Sequence, residues 1–500
     1  MSIAKLYSRA LSGMQAPQIV VEVHVAGGLP SFSIVGLPDT EIKESRDRIR
    51  SAIQNSGFEF PARRITVNLA PADLPKDSSR YDLPIALGIL LASNLVKTQL
   101  DLEQIEFAGE LALDGNLRPI KGALAIAFGI SQAKRELILP ISSAQEASVV
   151  GDIVLRGAKS LSNVVDHLNN KFELAQVALV EQELFTNLDS IEDFQQVKGQ
   201  FGTKKALEIA AAGRHSLLMI GSPGCGKSML AQRISGILPL LTQEQAITTA
   251  SIYSLSTKGF NPSQWQQPPI RNPHHSTSHI AIVGGGSNPR PGEISLAHNG
   301  ILFLDELPEF DRKVLEALRE PLETKMINIS RANHQVSYPA DFQLIAAMNP
   351  CPCGYSNHKT QPCKCSIEQI NRYRNKISGP LLDRIDIVVE VPSLTPHELQ
   401  GLPSGEASSV IRQRVIQARE IQLSRQHKLN YQLNNDEIEQ YCQLETNAKT
   451  LMQQIIDKYC LSARGYYRQL KLARTIADLD QAQTITAKHL SLAIQYKQII

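Results

Sequence analysis

The chain has 500 residues, of which 42% are hydrophobic and 20% are charged, and its formal net charge is +2. This length is too great for one hydrophobic core, so about three domains are expected. The composition is that of a globular protein, and the near-neutral charge excludes a polycationic surface. Any nucleic-acid contact must therefore use a local basic lining.

The N-terminal part of the chain, 1–172, alternates short apolar runs with Gly/Pro turns, which predicts a mixed α/β domain. Strands are predicted at Ile19–Val25, Phe32–Val35, Ile65–Leu69 and Leu137–Leu139, and helices at Asp39–Asn55, Leu83–Ser93 and Ala123–Ala133.

An acidic, polar stretch predicts a linker over 173–196. Residues 197–391 then alternate strands with helices, which is typical of a parallel α/β sheet. Residues 392–500 carry helical periodicity and predict an all-α lid, with long helices at Ser408–Gln426, Ala448–Lys458 and Ala463–Leu479. The expected fold class is therefore α/β with a helical C-terminal domain.

The longest apolar stretch, Leu83–Val96, is too short to span a bilayer. The first thirteen residues lack the apolar core of a secretory signal. The sequence therefore predicts a cytoplasmic protein without a membrane partner.

A phosphate-binding loop follows a short apolar run at 216–220 and precedes a helical pattern. The loop consists of Gly221, Ser222, Pro223, Gly224, Cys225, Gly226, Lys227 and Ser228. Glycines in this pattern let backbone N–H groups curl around a β-phosphate, Lys227 reaches the β- and γ-oxygens, and Ser228 offers a hydroxyl to Mg²⁺. The pattern predicts ATP and Mg²⁺ as cofactors, with Cys225 serving as a small residue that fits the loop.

Polar residues follow two further apolar strands. Asp305 and Glu306 come directly after 301–304, and Asn349 follows 342–348. Parallel α/β sheets place ligands at the carboxyl ends of their strands. We expect Asp305 to hold Mg²⁺, Glu306 to polarise the attacking water, and Asn349 to orient that water as a sensor-1 residue.

Two arginines are candidates for stabilising transition-state charge. Arg384 lies just before the last strand of the sheet, where in a ring it is expected to reach the neighbouring subunit's γ-phosphate as an arginine finger. A plain ion pair with Asp383 or Asp386 is the alternative. Arg464 opens a basic helix and is expected to lean onto the nucleotide as a sensor-2 residue, with Arg468 as the fallback.

Four of the seven cysteines crowd into 351–365, namely Cys351, Cys353, Cys363 and Cys365. In a reducing compartment four thiolates at this spacing predict a closed structural Zn²⁺ site, although His358 is an alternative ligand. The competing interpretation is four reduced thiols without metal.

The strings VKGQ (197–200), GSPGCGKS (221–228), VGGGSNPRPGEISLAHNGILFLDELPEF (283–310), NPCPCGY (349–355) and SGPLLDRID (378–386) closely resemble the magnesium-chelatase-like AAA+ family, in its ComM/YifB branch. The resemblance covers essentially the whole chain. It implies a homohexameric, ATP-driven helicase that promotes branch migration during homologous recombination and natural transformation. The implied partners are single-stranded or branched DNA and recombination proteins.

Residues 71–90 and 107–127 resemble the proteolytic domain of Lon. The serine position of that family falls on Arg80, and the lysine position falls on Leu124. Because a serine nucleophile needs a nearby base, this Lon-like α/β domain is interpreted as non-proteolytic.

DNA contacts are expected on two insertions that project toward the ring channel in the related motors. The first, 272–300, is rich in Gly and Pro and carries Arg290; the second is a predicted hairpin, 327–338, with Arg331 and His334 at its tip. These arginines are alternatively solvated loop residues. Neighbouring His274 and His275 point in different directions, which argues against a metal pair.

Three other functions remain open from the residues. They are a magnesium-chelatase motor subunit, an AAA+ ATPase that remodels proteins, and an ATP-dependent protease, which Arg80 and Leu124 oppose.

Overall fold

The computed structural model describes residues 2–11, 14–36, 40–72, 74, 76, 79–177, 192–256, 259–286, 289–331, 334–356, 358, 361–401, 403–459 and 461–497. The described residues form two compact units. The first comprises those within 1–186, 243–265 and 332–338, and the second comprises those within 187–242, 266–331 and 339–500.

The first 168 positions contain nine strands and five α-helices among their described residues. They are β1 (Ser2–Arg9), β2 (Gln18–Ala26), β3 (Ser31–Val35), α1 (Thr40–Asn55), β4 (Arg64–Ala70), α2 (Asp82–Ala92), β5 (Ile105–Phe107), β6 (Glu110–Leu111), β7 (Leu117–Arg118), α3 (Ala123–Ala133), β8 (Glu136–Pro140), α4 (Ile141–Ala147), β9 (Val154–Ala158) and α5 (Leu161–Leu168).

A mixed sheet is the centre of the first unit. Its order is β3-β4-β2-β1-β5-β8-β9, with antiparallel pairing on both sides of β2 and parallel pairing from β1 to β9. Every second residue of β2 is buried, as expected for a strand with one face on the core. Almost every residue of α2 is buried, so this helix lies inside the unit.

The chain from 201 to 390 alternates helices and strands. They are α6 (Phe201–Gly213), β10 (Leu217–Ile220), α7 (Lys227–Arg233), α8 (Gln243–Ser254), β11 (Ile270–Arg271), α9 (His279–Val283), β12 (Gly284–Gly285), β13 (Arg290–Pro291), α10 (Glu293–Leu296), β14 (Ile301–Leu304), α11 (Arg312–Ala317), α12 (Arg319–Thr324), β15 (Met326–Arg331), β16 (His334–Pro339), β17 (Gln343–Met348), α13 (Ile367–Arg374), α14 (Gly379–Leu382) and β18 (Ile387–Glu390).

The second unit is built on a parallel sheet of order β11-β14-β17-β10-β18. Its central strands β10, β14 and β17 are buried along their whole length. Continuous apolar runs of this kind are typical of parallel strands that are covered on both faces. Leu304 pairs with Ala346, and Met348 pairs with Ile220, so these three strands end at the same edge.

The C-terminal part of the second unit is helical. It contains α15 (Pro396–Gly401), α16 (Ser408–Gln426), α17 (Asn435–Tyr441), α18 (Thr446–Tyr459), α19 (Ala463–Leu479) and α20 (Ala487–Gln495). The mixed α/β architecture, the parallel sheet and these helices confirm the predicted fold class. Likeness to Lon and the exact domain boundaries stay predictions.

Two segments differ from the simple division that the sequence predicts. Phe194, which was assigned to the linker, is fully buried in the core of the second unit. This core therefore begins within the predicted linker. Residues 178–191 of that linker lie outside the described part. Helix α8 belongs to the first unit and packs on α3. Among the described residues no helix has the length and apolarity needed to cross a membrane.

Candidate nucleotide site

The predicted phosphate-binding loop joins β10 to α7. Gly224 and Gly226 have φ angles of +78° and +93°, a left-handed conformation that glycine adopts without strain. A Cβ on Gly221 would lie 2.7 Å from the carbonyl oxygen of Val391, so a larger residue there would displace the loop. The backbone therefore has the tight curl that directs N–H groups at a phosphate.

Ser222, Pro223 and Cys225 complete the turn. Burial raises the pKa of the Cys225 thiol, so this side chain stays protonated and behaves as a small apolar residue. That environment agrees with the space-filling role expected for it.

Lys227 links the loop to the neighbouring strand β17. Its ammonium donates to the carbonyl oxygens of Gly221 at 2.6 Å and Ser222 at 3.1 Å, and to Oδ1 of Asn349 at 3.1 Å. Two residues that lie 122 positions apart thus meet at the carboxyl edge of the sheet.

The acidic end of β14 meets the start of α7. Ser228 Oγ donates a hydrogen bond to Asp305 Oδ2. A hydroxyl and a carboxylate side by side are oxygen ligands that suit Mg²⁺, which is commonly held by one or two protein groups and by substrate phosphates. The structure therefore brings together the two residues predicted to hold this ion.

Glu306 adopts a left-handed backbone conformation, with φ of +53°, which is uncommon for a residue with a side chain. Its backbone N–H donates to Asp305 Oδ1 at 2.9 Å. The Glu306 side chain is 53% exposed and its Oε2 lies 3.1 Å from Nδ1 of His275. The carboxylate is thus held at the site edge while remaining accessible.

Tyr373 supports Asn349 from α13. Its hydroxyl contacts the backbone N–H of Asn349, and burial raises the pKa of Tyr373 to about 12. This contact was not expected from the sequence, because a tyrosine in a polar helix carries no local signal of a partner 24 positions away.

Arg384 and Arg464 meet at Glu323 of α12. Arg384 Nη2 bonds to Glu323 Oε1, and Arg464 Nη2 lies 3.1 Å from the same oxygen. Arg384 Nη1 also donates to the carbonyl oxygen of Pro380 at 2.5 Å. No contact among the described residues joins either arginine to the phosphate-binding loop. The sensor-2 candidate, Arg464, instead lies beside the arginine-finger candidate, Arg384, because both contact Glu323. The fallback, Arg468, lies 3.8 Å from Asp386.

A cavity of about 620 Å³ adjoins the phosphate-binding loop. Three segments line it, 199–203, 220–222 and 390–394, together with Pro350, Ser356 and Arg374. Gln200 closes one side, since its Nε2 donates to the carbonyl oxygens of Pro392 at 2.8 Å and Cys225 at 3.3 Å. The volume lies within the range of small-molecule sites.

The four clustered cysteines converge after Asn349. All four Sγ atoms lie within 4.8 Å of one another, and the Cys351–Cys353 and Cys353–Cys363 separations are 3.3 and 3.5 Å. A tetrahedral zinc thiolate site, with bonds of about 2.3 Å, has sulfur–sulfur edges of about 3.8 Å. The donor set therefore fits a zinc ion.

Backbone N–H groups point at these sulfurs. The N–H of Ser356 donates to Cys351 Sγ at 3.3 Å, and that of Cys365 donates to Cys363 Sγ at 3.4 Å. Such donors stabilise thiolate charge. The cysteine loop also packs on the phosphate-binding loop, because a Cβ on Gly354 would lie 2.5 Å from Cδ of Pro223.

Comparison with known proteins defines the family. Models of the magnesium chelatase subunit ChlI match residues 193–399, those of the ChlI subunit of Mg-chelatase match 21–143, and those of its C-terminal part match 405–497. The whole chain is 48% identical to the competence protein ComM of Haemophilus influenzae and 47% identical to the protein YifB of Escherichia coli, and each match covers 98% of the relative. The chain belongs to the ComM/YifB family of magnesium-chelatase-like proteins.

A more distant relative matches only part of this ComM/YifB family member. Over 180 residues, 36% of this chain and 18% of the relative, it is 27% identical to the DNA replication licensing factor MCM6 of Arabidopsis thaliana.

The candidate DNA contacts of this family member are only partly described. Arg290 is exposed on β13, which pairs with β12 in a short antiparallel ribbon. Arg331 and His334 fall on β15 and β16, but their side chains lie outside the described residues.

Two serines, Ser78 and Ser79, directly precede Arg80 in the chain, and the described partner of Ser79 is an acidic side chain. Ser79 Oγ donates to a carboxylate oxygen of Glu110. Lys76 Nζ donates instead to the backbone carbonyls of Gly36 at 2.8 Å and Leu74 at 3.3 Å. Arg80 and Leu124 are buried. Ser78 lies outside the described residues.

Proposed function

We propose that this chain is an ATP-hydrolysing subunit of a hexameric cytoplasmic motor that drives branch migration of DNA during homologous recombination and natural transformation. The observation that carries the proposal is the convergence of Lys227, Ser228, Asp305, Glu306 and Asn349 at one edge of a parallel sheet.

In this proposal Lys227 binds the β- and γ-phosphate oxygens of ATP, and Ser228 and Asp305 hold Mg²⁺. When bound, the ion would neutralise charge on the phosphate groups. Glu306 accepts a proton from the attacking water, and Asn349 positions that water. The cavity beside Gln200 receives the base and sugar.

The positions of two arginines support the proposal of a ring. Arg384 and Arg464 share Glu323 and make no described contact with their own phosphate-binding loop. We therefore assign both to the neighbouring subunit's nucleotide, where a guanidinium stabilises the charge of the transferring phosphoryl group.

The names of two relatives favour DNA as the substrate. The full-length relative in Haemophilus influenzae is named a competence protein, and the MCM6 relative is named a DNA replication factor. In this chain Arg290, Arg331 and His334 are the proposed phosphate contacts. Nucleotide-driven movement of their loops would push the strand through the channel.

The four cysteines are proposed to hold one structural zinc ion. When bound, the ion supplies a rigid crosslink between the two ends of 351–365. All four positions of a tetrahedral site are filled by Cys351, Cys353, Cys363 and Cys365, so the site is closed to substrate.

A magnesium-chelatase motor subunit is the second candidate, because the matching family models carry that name. Protein remodelling is the third. The Lon-like assignment of the N-terminal unit is part of the proposal. Peptidase activity is opposed by Arg80 and Leu124 at the expected catalytic positions and by the carboxylate partner of Ser79.

A strand-displacement and branch-migration assay on the full chain tests the function, with ATPase measured alongside. Wild type is expected to move branched DNA and to hydrolyse ATP faster with DNA. Lys227→Ala and Glu306→Gln are expected to lose at least about 100-fold in turnover. Wild-type ATP hydrolysis without DNA movement or DNA stimulation would refute the motor on DNA.

A further inference from the structure

A concave surface of the second unit carries basic side chains outside the candidate nucleotide site. A cavity of about 760 Å³ lies between helix α13 and the segment that leads from β14 into α11. It is here called the α13 groove, and it is defined by Arg312 on one wall and by Glu368, Asn371, Arg372 and Asn375 on the other.

Helix α13 forms a fixed wall of the α13 groove. The spacing of 368, 371, 372 and 375 places these residues on one face of the helix. Tyr373 and Ile377 lie one turn apart and are both buried, so another face of the same segment is anchored in the protein. A capping box of Ser366 and Gln369 fixes the start of the helix. The polar face is therefore presented on a rigid element.

Two arginines face each other across the α13 groove without a carboxylate partner. Arg312 and Arg372 are exposed, and neither guanidinium makes a hydrogen bond or a salt bridge within the part of the chain that the structure describes. Glu316, one turn after Arg312, is held by Arg319 at 2.6 Å. The positive charge of both guanidinium groups is thus available to an anion.

The remaining polar side chains add donors and one acceptor. Lys376 is neutralised by Glu309, at 3.1 Å. The amides of Asn371 and Asn375 and the carboxylate of Glu368 make no side-chain hydrogen bond to other described residues. The α13 groove therefore offers two guanidinium groups, two amides and one carboxylate to a ligand.

We propose that the α13 groove binds single-stranded DNA, with Arg312 and Arg372 as its phosphate contacts. The inference rests on the proposed function, in which DNA is the substrate. It adds a contact surface outside the two insertions that carry Arg290, Arg331 and His334.

The donor set favours a nucleotide strand over an acidic peptide. Guanidinium groups bind phosphate through paired hydrogen bonds, and asparagine amides contact phosphates or base edges. Glu368 can accept a hydrogen bond from the amino group of a base, whereas the side chains of an acidic peptide would only repel it. A cavity of this volume admits nucleotides of one strand but not a duplex.

Fluorescence anisotropy of a labelled single-stranded oligonucleotide with the full chain, repeated over a range of salt concentrations, tests the proposal. Arg312→Ala/Arg372→Ala is expected to weaken binding by at least about tenfold at low salt. Each phosphate contact on a single strand contributes about 0.7 to the slope of log affinity against log salt concentration. The double variant is therefore expected to lower that slope by about 1.4, and Arg312→Ala alone by about 0.7.

Lys313→Ala is the matched control. Lys313 is the exposed neighbour of Arg312 on α11 and does not line the cavity. The variant removes the same charge one position away and is expected to keep the wild-type slope. An equal loss in Lys313→Ala, or an unchanged affinity and slope in the double arginine variant, would overturn the α13 groove as a DNA site.

Two further outcomes are separable from these. Polyglutamate that displaces the oligonucleotide as well as unlabelled DNA does, at matched charge, would overturn the proposal in favour of an acidic protein partner. Failure of the proposed function looks different, because wild type itself would then bind no oligonucleotide at low salt. Failure of the α13 groove alone leaves wild-type binding and its salt dependence in place.

Discussion

Two glutamates, one in each unit, show how a structural carboxylate differs from the carboxylate that we propose as the catalytic base. Glu106 on β5 is fully buried and accepts hydrogen bonds from Nε and Nη2 of Arg9, both at 2.8 Å, with Arg135 Nη1 at 3.4 Å. Glu306 is half-exposed beyond β14 and has His275 as its described side-chain partner.

The difference lies in how many acceptor sites remain for a substrate. A buried carboxylate must be paired, and Glu106 uses its two oxygens on arginines inside the protein. Glu306 keeps accessible surface at the edge where the phosphate-binding loop also ends. Pairing within the core stabilises the fold, while incomplete pairing at a strand end leaves capacity for chemistry.

The largest effect is expected from replacing Arg384, which we group with Glu306 because both are proposed to act on ATP. Arg384→Ala is expected to lower ATP turnover by about 1,000-fold or more, because an arginine finger stabilises the transition state. ATP binding, measured with a fluorescent analogue, is expected to be unchanged. Near-normal turnover in a folded variant would leave Arg384 as the ion-pair partner of Glu323 alone.

Replacing Arg9 tests the structural role of Glu106. Arg9→Ala leaves Glu106 buried without its main partner, which is expected to cost about 3–5 kcal/mol in the free energy of unfolding. ATP turnover of the folded fraction is expected to stay near wild type. Arg135→Ala is the control, because its longer contact predicts a smaller loss. Equal, negligible losses in denaturant titrations of both variants would contradict the comparison.

A change in the cysteine loop is expected to have the smallest effect of the three. Metal analysis of purified protein should give about one zinc per chain. Cys363→Ser should lower the zinc content and loosen the contact of Gly354 with Pro223, weakening ATP binding by less than about tenfold. Cys442→Ser, at a buried thiol outside the cluster, is the control. A folded, active wild type with substoichiometric metal would exclude the zinc site.

The sequence predicted most of the elements because these depend on local pattern. It also predicted which residues meet at the candidate nucleotide site, whose roles stay a proposal. Helices α3, α16 and α19 and strand β14 begin and end where periodicity places them. The phosphate-binding loop is likewise a continuous string, and parallel strand order brings Asp305 and Asn349 to it.

What the sequence did not predict depends on contacts between distant side chains. His275 was considered only as half of a metal pair, yet its partner is Glu306. Glu323, which joins Arg384 to Arg464, lies in a helix with no motif of its own. The position of α8 in the first unit also follows from packing, because its chain neighbours belong to the second.

Mixing two inactive variants tests the central claim, that a neighbouring subunit's arginine completes each ATP pocket. Arg384→Ala keeps the glutamate of its own pocket, and Glu306→Gln keeps the arginine that it offers its neighbour. In rings assembled at random from equal amounts, about one interface in four has both groups intact. The account predicts that ATP turnover reappears on mixing, in proportion to those interfaces. A mixture as inactive as its two components, under conditions in which the subunits exchange, would contradict it.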